Sequence, residues 1–137
     1  MKLILIRGLP GSGKSTVAES LLNSKPDYIW FEADHYFLND DGEYIFDVNS
    51  LHAAHQWCQR STRDWLVHGA SVVVSNTFTT IKELKPYFEI AKEFGIVPNV
   101  IHCQNQFDNE HNVPAETLEK MKARWTDDLT TLFEMVK

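Results

Sequence analysis

Gly8-Leu9-Pro10-Gly11-Ser12-Gly13-Lys14-Ser15, followed by Thr16, decides how the rest of this 137-residue chain is read. The spacing is G-x-x-x-x-G-K-[ST], a loop built to cradle phosphate. Glycine lacks a β-carbon and accepts positive φ, so the loop can curl until several backbone N–H groups face the same phosphate oxygens. A helix opening near Lys14 adds the partial positive charge of its N-terminus. Gly11, Ser12, Gly13, Lys14, Ser15 and Thr16 are therefore the expected contacts to ATP or another nucleoside triphosphate. Lys14 is expected to place its ammonium between the outer phosphates, and the Ser15 hydroxyl to offer Mg²⁺ an oxygen ligand.

The flanks supply the context that the loop requires. Residues 2–7 are a short β-branched apolar run stopped by Gly8, the pattern of a strand buried on both faces. From Lys14 to about residue 22 the pattern is helical, with Val17, Leu21 and Leu22 on one side. Residues 28–33 read as a second strand that runs out at Asp34, and 34–48 as polar, aromatic and irregular around Asp40-Asp41-Gly42. Asn49 or Ser50 can cap a helix reaching about residue 68. Residues 71–75 read as a third strand, 80–94 as partly helical with Pro86 starting or kinking the helix, and 97–103 as a fourth strand. Pro114 opens a long final helix carrying Leu118, Met121, Trp125, Leu129, Leu132 and Val136. Strands alternating with helices imply a parallel sheet. The expectation is one α/β unit over 1–137, a three-layer P-loop nucleotide-binding fold with four or five mostly parallel strands and helices on both faces.

Composition narrows the function. Thirteen Lys and Arg against nineteen Asp and Glu leave a net charge of −6, which counts against a broad, sequence-blind nucleic-acid binder. No apolar run approaches the roughly 20 residues that span a membrane, so no membrane partner is expected. Cys58 and Cys103 lie too far apart for a C-x-x-C site, and a reducing cytoplasm suits them. The six histidines show no zinc-ligand spacing.

A typical second nucleotide motif is an apolar strand ending in a carboxylate. The third strand ends instead in Val74-Ser75-Asn76, and the carboxylate follows the second strand, in Phe31-Glu32-Ala33-Asp34. Ligands of an open parallel sheet bind beyond the carboxyl ends of its strands, so Asp34 and the glycine-rich loop should share a crevice. An ionised Asp34 there can accept the proton of an acceptor hydroxyl and align it for in-line attack, or hold Mg²⁺ through water.

At these residues the chain resembles the phage-type polynucleotide kinase branch of the small P-loop kinases. The matching stations are residues 8–15, Ala33-Asp34-His35-Tyr36-Phe37, Gly42-Glu43-Tyr44-Ile45-Phe46-Asp47, and Ala54-His55-Gln56-Trp57-Cys58-Gln59-Arg60. They continue in order through Ser75-Asn76-Thr77-Phe78, Lys85-Pro86-Tyr87 and His111-Asn112-Val113-Pro114, with Met121 and Arg124. The resemblance implies a γ-phosphate transferase with Asp34 as general base and a lid before Val113. Three positions depart from the family. Phe37 stands where characterised 5′-hydroxyl kinases have an arginine, Asn76 where they have an aspartate, and Asp108 where the lid arginine aligns best. These departures weigh against a nucleic-acid 5′ end as acceptor more than against phosphoryl transfer. Phe37 and Asp108 also leave open a nucleotide-binding module with little catalysis.

On the acceptor side, His52, Gln56, Gln59, Arg60 and Arg63 share one helix face with His55 at its margin. His35, Tyr36, His55, Arg60 and Asn76 are the candidate contacts to a nucleic-acid or nucleotide acceptor, with a small molecule or nucleoside as the alternative. Tyr36, Phe37, Tyr44 and Phe46 could stack on a base or pin the loop; Tyr44 and Phe46 are expected in the core. Arg124 is a candidate to lie on adenine.

Overall fold

The computed structural model describes residues 1–105 and 113–137. Its elements are β1 (Leu3–Arg7), α1 (Lys14–Ser24), β2 (Ile29–Phe31), α2 (Leu51–Val67), β3 (Val72–Asn76), α3 (Ile81–Glu93), β4 (Asn99–His102), α4 (Ala115–Arg124) and α5 (Thr130–Met135). Among the described residues four strands form one sheet in the order β2-β3-β1-β4, and every pairing is parallel. The α/β expectation holds, with four strands.

Side chains alternate across a strand, and both faces of this sheet are covered. Leu3, Leu5, Val72 and Val74 meet Cys58 and Leu66 of α2, Leu84 and Phe88 of α3, and Leu132 of α5. Ile4, Ile6 and Val73 point the other way, onto Ala18 of α1 and Cys103. All five residues of β1 are buried, as are all five of β3. The central strands thus set the register Leu3↔Val72 to Arg7↔Asn76, which brings the chain segments after β1 and β3 out side by side.

Several elements differ from the sequence reading. Residues 34–48 are more ordered than their composition suggests. A 3₁₀ turn runs from Ala33 to Phe37, Leu38 and Tyr44 form an antiparallel bridge, and a second 3₁₀ turn spans Val48–Ser50. Ser50 stands at the N-cap of α2, as expected, though without a side-chain bond to the helix, and Asp47 caps the preceding 3₁₀ turn by accepting from the Asn49 N–H at 3.0 Å. Pro86 does not start α3 but lies inside it, the helix beginning earlier on a reciprocal Thr80–Glu83 capping box.

The final helix is broken, and Arg7 is the reason. Its guanidinium, 2% exposed, donates to the carbonyls of Phe78 at 2.7 Å and Thr126 at 2.8 Å. It also lies 4.1 Å from the centre of the Trp125 ring, a cation–π contact. The Thr126 N–H donates to the Thr79 carbonyl at 2.8 Å. These bonds hold residues 125–129 as a non-helical strap between α4 and α5, since a helical Thr126 carbonyl would turn to its own chain instead.

The aromatics around residue 40 correct one expectation and settle another. Phe37 is buried with Ala33 and Ala54. Tyr44 and Phe46, expected inside, are 38% and 52% exposed. The 3₁₀ turn points Phe37 inward beneath them, and a single bridge is too short to bring the 44–46 segment over the core. No helix among the described residues is long and apolar enough to cross a membrane.

Candidate phosphoryl-transfer site

The glycine-rich loop joins the carboxyl end of β1 to α1. Its entry is anchored by the Gly8 N–H on the Thr77 carbonyl at 3.3 Å, and its turn by the Ser12 N–H on the Leu9 carbonyl at 3.1 Å. Gly11 and Gly13 have φ of 80° and 95°, the left-handed region that glycine enters without strain. A β-carbon on Gly8 would overlap the Ser12 hydroxyl and lie 2.8 Å from the Cys103 carbonyl oxygen. The first turn of α1 carries no carboxylate to offset the positive end of its dipole. Lys14 Nζ reaches back across the loop to the Leu9 carbonyl at 3.0 Å, and Ser12 Oγ is buried without a hydrogen-bond partner among the described residues. A curled loop, an arched lysine and an orphaned hydroxyl make an anion cradle.

Glu32 joins this cradle to β2 and β3. Its Oε2 accepts from Ser75 Oγ at 2.9 Å and lies 3.5 Å from Ser15 Oγ. The Trp30 indole N–H donates to the same Ser75 oxygen at 2.8 Å, so the carboxylate is held by a short chain of donors. His35 faces it from the other side, with Nε2 3.7 Å from Glu32 Oε1. A serine hydroxyl with a carboxylate behind it is the hard-oxygen environment that suits Mg²⁺. The residues present therefore fit that ion, with Ser15 as ligand and Glu32 beside it. Sequence reasoning passed over Glu32 in favour of its neighbour. The signal was there, because Glu32 directly follows the second strand, at the carboxyl end where ligands of a parallel sheet bind. Glu32→Gln is expected to raise the Mg²⁺ concentration for half-maximal nucleotide binding about tenfold or more. A magnesium titration at fixed nucleotide checks this, and an unaltered midpoint would remove Glu32 from the cation's surroundings.

Asp34 stands on the 3₁₀ turn after β2, at the same end of the sheet. Asn76 fixes that turn from below, its Oδ1 accepting from the Ala33 N–H at 2.8 Å while its amide nitrogen faces Cys58 Sγ at 3.8 Å. Asn76 is thus a buried support under Asp34. The Tyr44 hydroxyl donates to Asp34 Oδ1 at 3.1 Å. Burial, with the charge and hydrogen bond of Asp34 adding to it, pushes the Tyr44 phenol up to about 12, so it stays a donor through neutral pH.

The remaining candidates spread out. His55 is half-buried on α2, and burial pushes its imidazole below the usual value against the opposing charges of Glu83 and Asp34. Tyr36 is 42% exposed, its ring 6.1 Å from that of Trp57. Arg60 is exposed nine residues along α2 from Leu51. Arg124 donates through Nε to Thr79 Oγ1 at 3.0 Å, tied to the loop after β3. Asp108 and His111 lie outside the described residues.

Known proteins resemble this chain in sequence and in fold. A family model described as an AAA domain matches residues 3–108. NEDD4-binding protein 2 of Homo sapiens is 37% identical over 92 residues, which cover 66% of this chain and 5% of the human protein. An uncharacterised protein of Pasteurella multocida is 31% identical over 87% of this chain and 73% of its own length. The bifunctional polynucleotide phosphatase/kinase of Schizosaccharomyces pombe is 31% identical over 76% of this chain, which spans 21% of the yeast protein. Among solved structures, Chaetomium thermophilum Kti12 in complex with ADP-AlF3 superposes with a TM-score of 0.68 at 14% identity, over 91% of this chain and 80% of that one. A chain of the Pnkp1/Rnl/Hen1 complex does so with a TM-score of 0.62 at 22% identity, over 87% and 38%. At these identities the structures establish the fold alone.

Proposed function

The chain belongs to the AAA domain family, and on that premise we propose that it is a Mg·ATP-dependent phosphotransferase acting on a hydroxyl of a nucleic acid or nucleotide. A kinase-like nucleotide-binding fold is common to its relatives. The observation that carries the further step is the Ser15–Glu32 contact at 3.5 Å, which sets the phosphate cradle beside the turn that bears Asp34. The named activity of the yeast relative supports the nucleic-acid part.

In the proposed reaction Lys14 and the backbone N–H groups of residues 11–16 hold the triphosphate. Asp34 accepts the proton of the acceptor hydroxyl, and that oxygen forms a bond to the γ-phosphorus. The bond from the γ-phosphorus to the β–γ bridging oxygen breaks, and ADP leaves with its electron pair. A phosphate ester and ADP result, and Asp34 returns its proton to water. Mg²⁺, when bound near Ser15, supplies neutralisation of phosphate charge. Tyr44 orients the Asp34 carboxylate, Asn76 is a positioning residue beneath the turn that bears it, and Glu32 stands beside Ser15 where the cation would sit. Arg124, tethered at Thr79, is the proposed contact to the adenine side.

A second acceptor class, nucleosides and other small alcohols, is favoured by the sequence around Asp34, since residues 26–59 contain no lysine or arginine to meet a phosphate chain. The test is transfer of γ-labelled phosphate to a panel of 5′-hydroxyl oligonucleotides, hydroxymethylated DNA and nucleosides. Label on an acceptor hydroxyl is expected. Label passing only to water, or to nothing, contradicts the proposal.

A further inference from the structure

Building on phosphoryl transfer at Asp34, we infer that the exposed aromatic surface beside it docks a nucleoside, a flat base with a free sugar hydroxyl and no phosphate of its own. The surface starts at the base itself, because the Tyr44 hydroxyl is bonded to Asp34 Oδ1 at 3.1 Å. From there it continues over Leu38, bridged to Tyr44, and Phe46, stacked beside it, which are 47% and 52% exposed. Water-facing apolar side chains in one contiguous run mark a binding surface more often than a structural one. The Tyr44 and Phe46 rings are near-parallel, 15° apart with centroids 6.5 Å from one another. Phe37 braces both from below, at 6.2 Å and 5.1 Å. Braced rings with open faces are stacking platforms for a base.

Charge decides which base-bearing molecule fits. The chain from 26 to 59 carries seven carboxylates and no lysine or arginine, and Asp40, Asp41, Glu43 and Asp47 flank Tyr44 and Phe46 along the chain, all four exposed. A phosphate placed there meets repulsion with no fork or ammonium to accept it. The cations of the same sheet end are engaged elsewhere: Lys14 in the cradle, Arg7 on the strap and Arg124 on Thr79. Arg60 stands ~13 Å farther up α2. An uncharged ring-bearing alcohol satisfies both the platform and the acidic rim.

The test is calorimetric binding of adenosine, guanosine, cytidine and thymidine, each beside its own 3′-monophosphate, with Mg·AMPPNP saturating the nucleotide cradle. At least one nucleoside is expected to bind about tenfold or more tightly than its 3′-phosphate. Phe46→Ala is expected to weaken that binding about tenfold, and Phe46→Trp, which keeps a ring, to retain it. Equal or tighter binding of the phosphates, no binding of any nucleoside, or indifference to Phe46→Ala overturns the inference. The underlying phosphotransferase reading fails separately. A nucleoside that binds at the platform yet never receives label refutes transfer and leaves the docking intact, whereas label on an oligonucleotide end without nucleoside binding does the reverse.

Discussion

Asp34→Asn is expected to lower phosphoryl transfer about 10²–10⁴-fold, the range lost when a positioned general base is removed. Nucleotide affinity should stay within about twofold of the parent, because the change falls on the rate of the reacting complex and not on uniform binding. The substitution keeps the side chain's size and one acceptor oxygen, so the Tyr44 hydroxyl retains a partner. The 3₁₀ turn should persist as well, since Ala33 is fixed through Asn76 independently of residue 34. Steady-state transfer and nucleotide titration on the same preparation separate the two effects. Unchanged transfer would remove Asp34 as the base.

Arg7→Met is expected to have the largest effect on stability, a loss of about 2–4 kcal/mol. The reasoning is local. Removing the guanidinium strands the carbonyls of Phe78 and Thr126 in a buried setting, at roughly 1–3 kcal/mol for each unpaired group. Relief of the arginine's own desolvation, which pushes its pKa below the usual value, offsets part of that loss. The cation–π contact with Trp125 goes too. For a chain of this size the melting temperature should fall by about 6–15 °C. The strap at 125–129 should also become open to limited proteolysis before the sheet unfolds. A melting temperature within about 2 °C of the parent would show that the strap is held by other contacts.

Arg7 also marks the boundary of what the sequence makes legible. A strand with every residue buried, a glycine-rich bend and a following helix are local patterns, and they are found where the chain's chemistry puts them. The break after Arg124 is not local. It depends on a guanidinium 119 positions earlier that bonds the Thr126 carbonyl, and helical periodicity through Leu129 and Leu132 gives no sign of it. The exposure of Tyr44 and Phe46 above a buried Phe37 has a local origin instead, because a 3₁₀ turn places side chains by threes and not by the helical or strand period. Within the site, the curl of the glycine-rich loop was readable from spacing alone. Glu32 and Asn76 were harder, since their roles arise from β2 and β3 lying side by side, with Phe31 opposite Val74. His35 likewise turns back on Glu32, a local capping geometry that its place next to Asp34 disguises.

The central claim is that the bend after β1 closes on a triphosphate together with a divalent cation, and titration calorimetry with and without Mg²⁺ tests it most directly. Saturable heat with ATP or another nucleoside triphosphate, strengthened by Mg²⁺ and strongly weakened in Lys14→Ala, is the predicted result. No magnesium-dependent heat from folded protein with any purine triphosphate would contradict it.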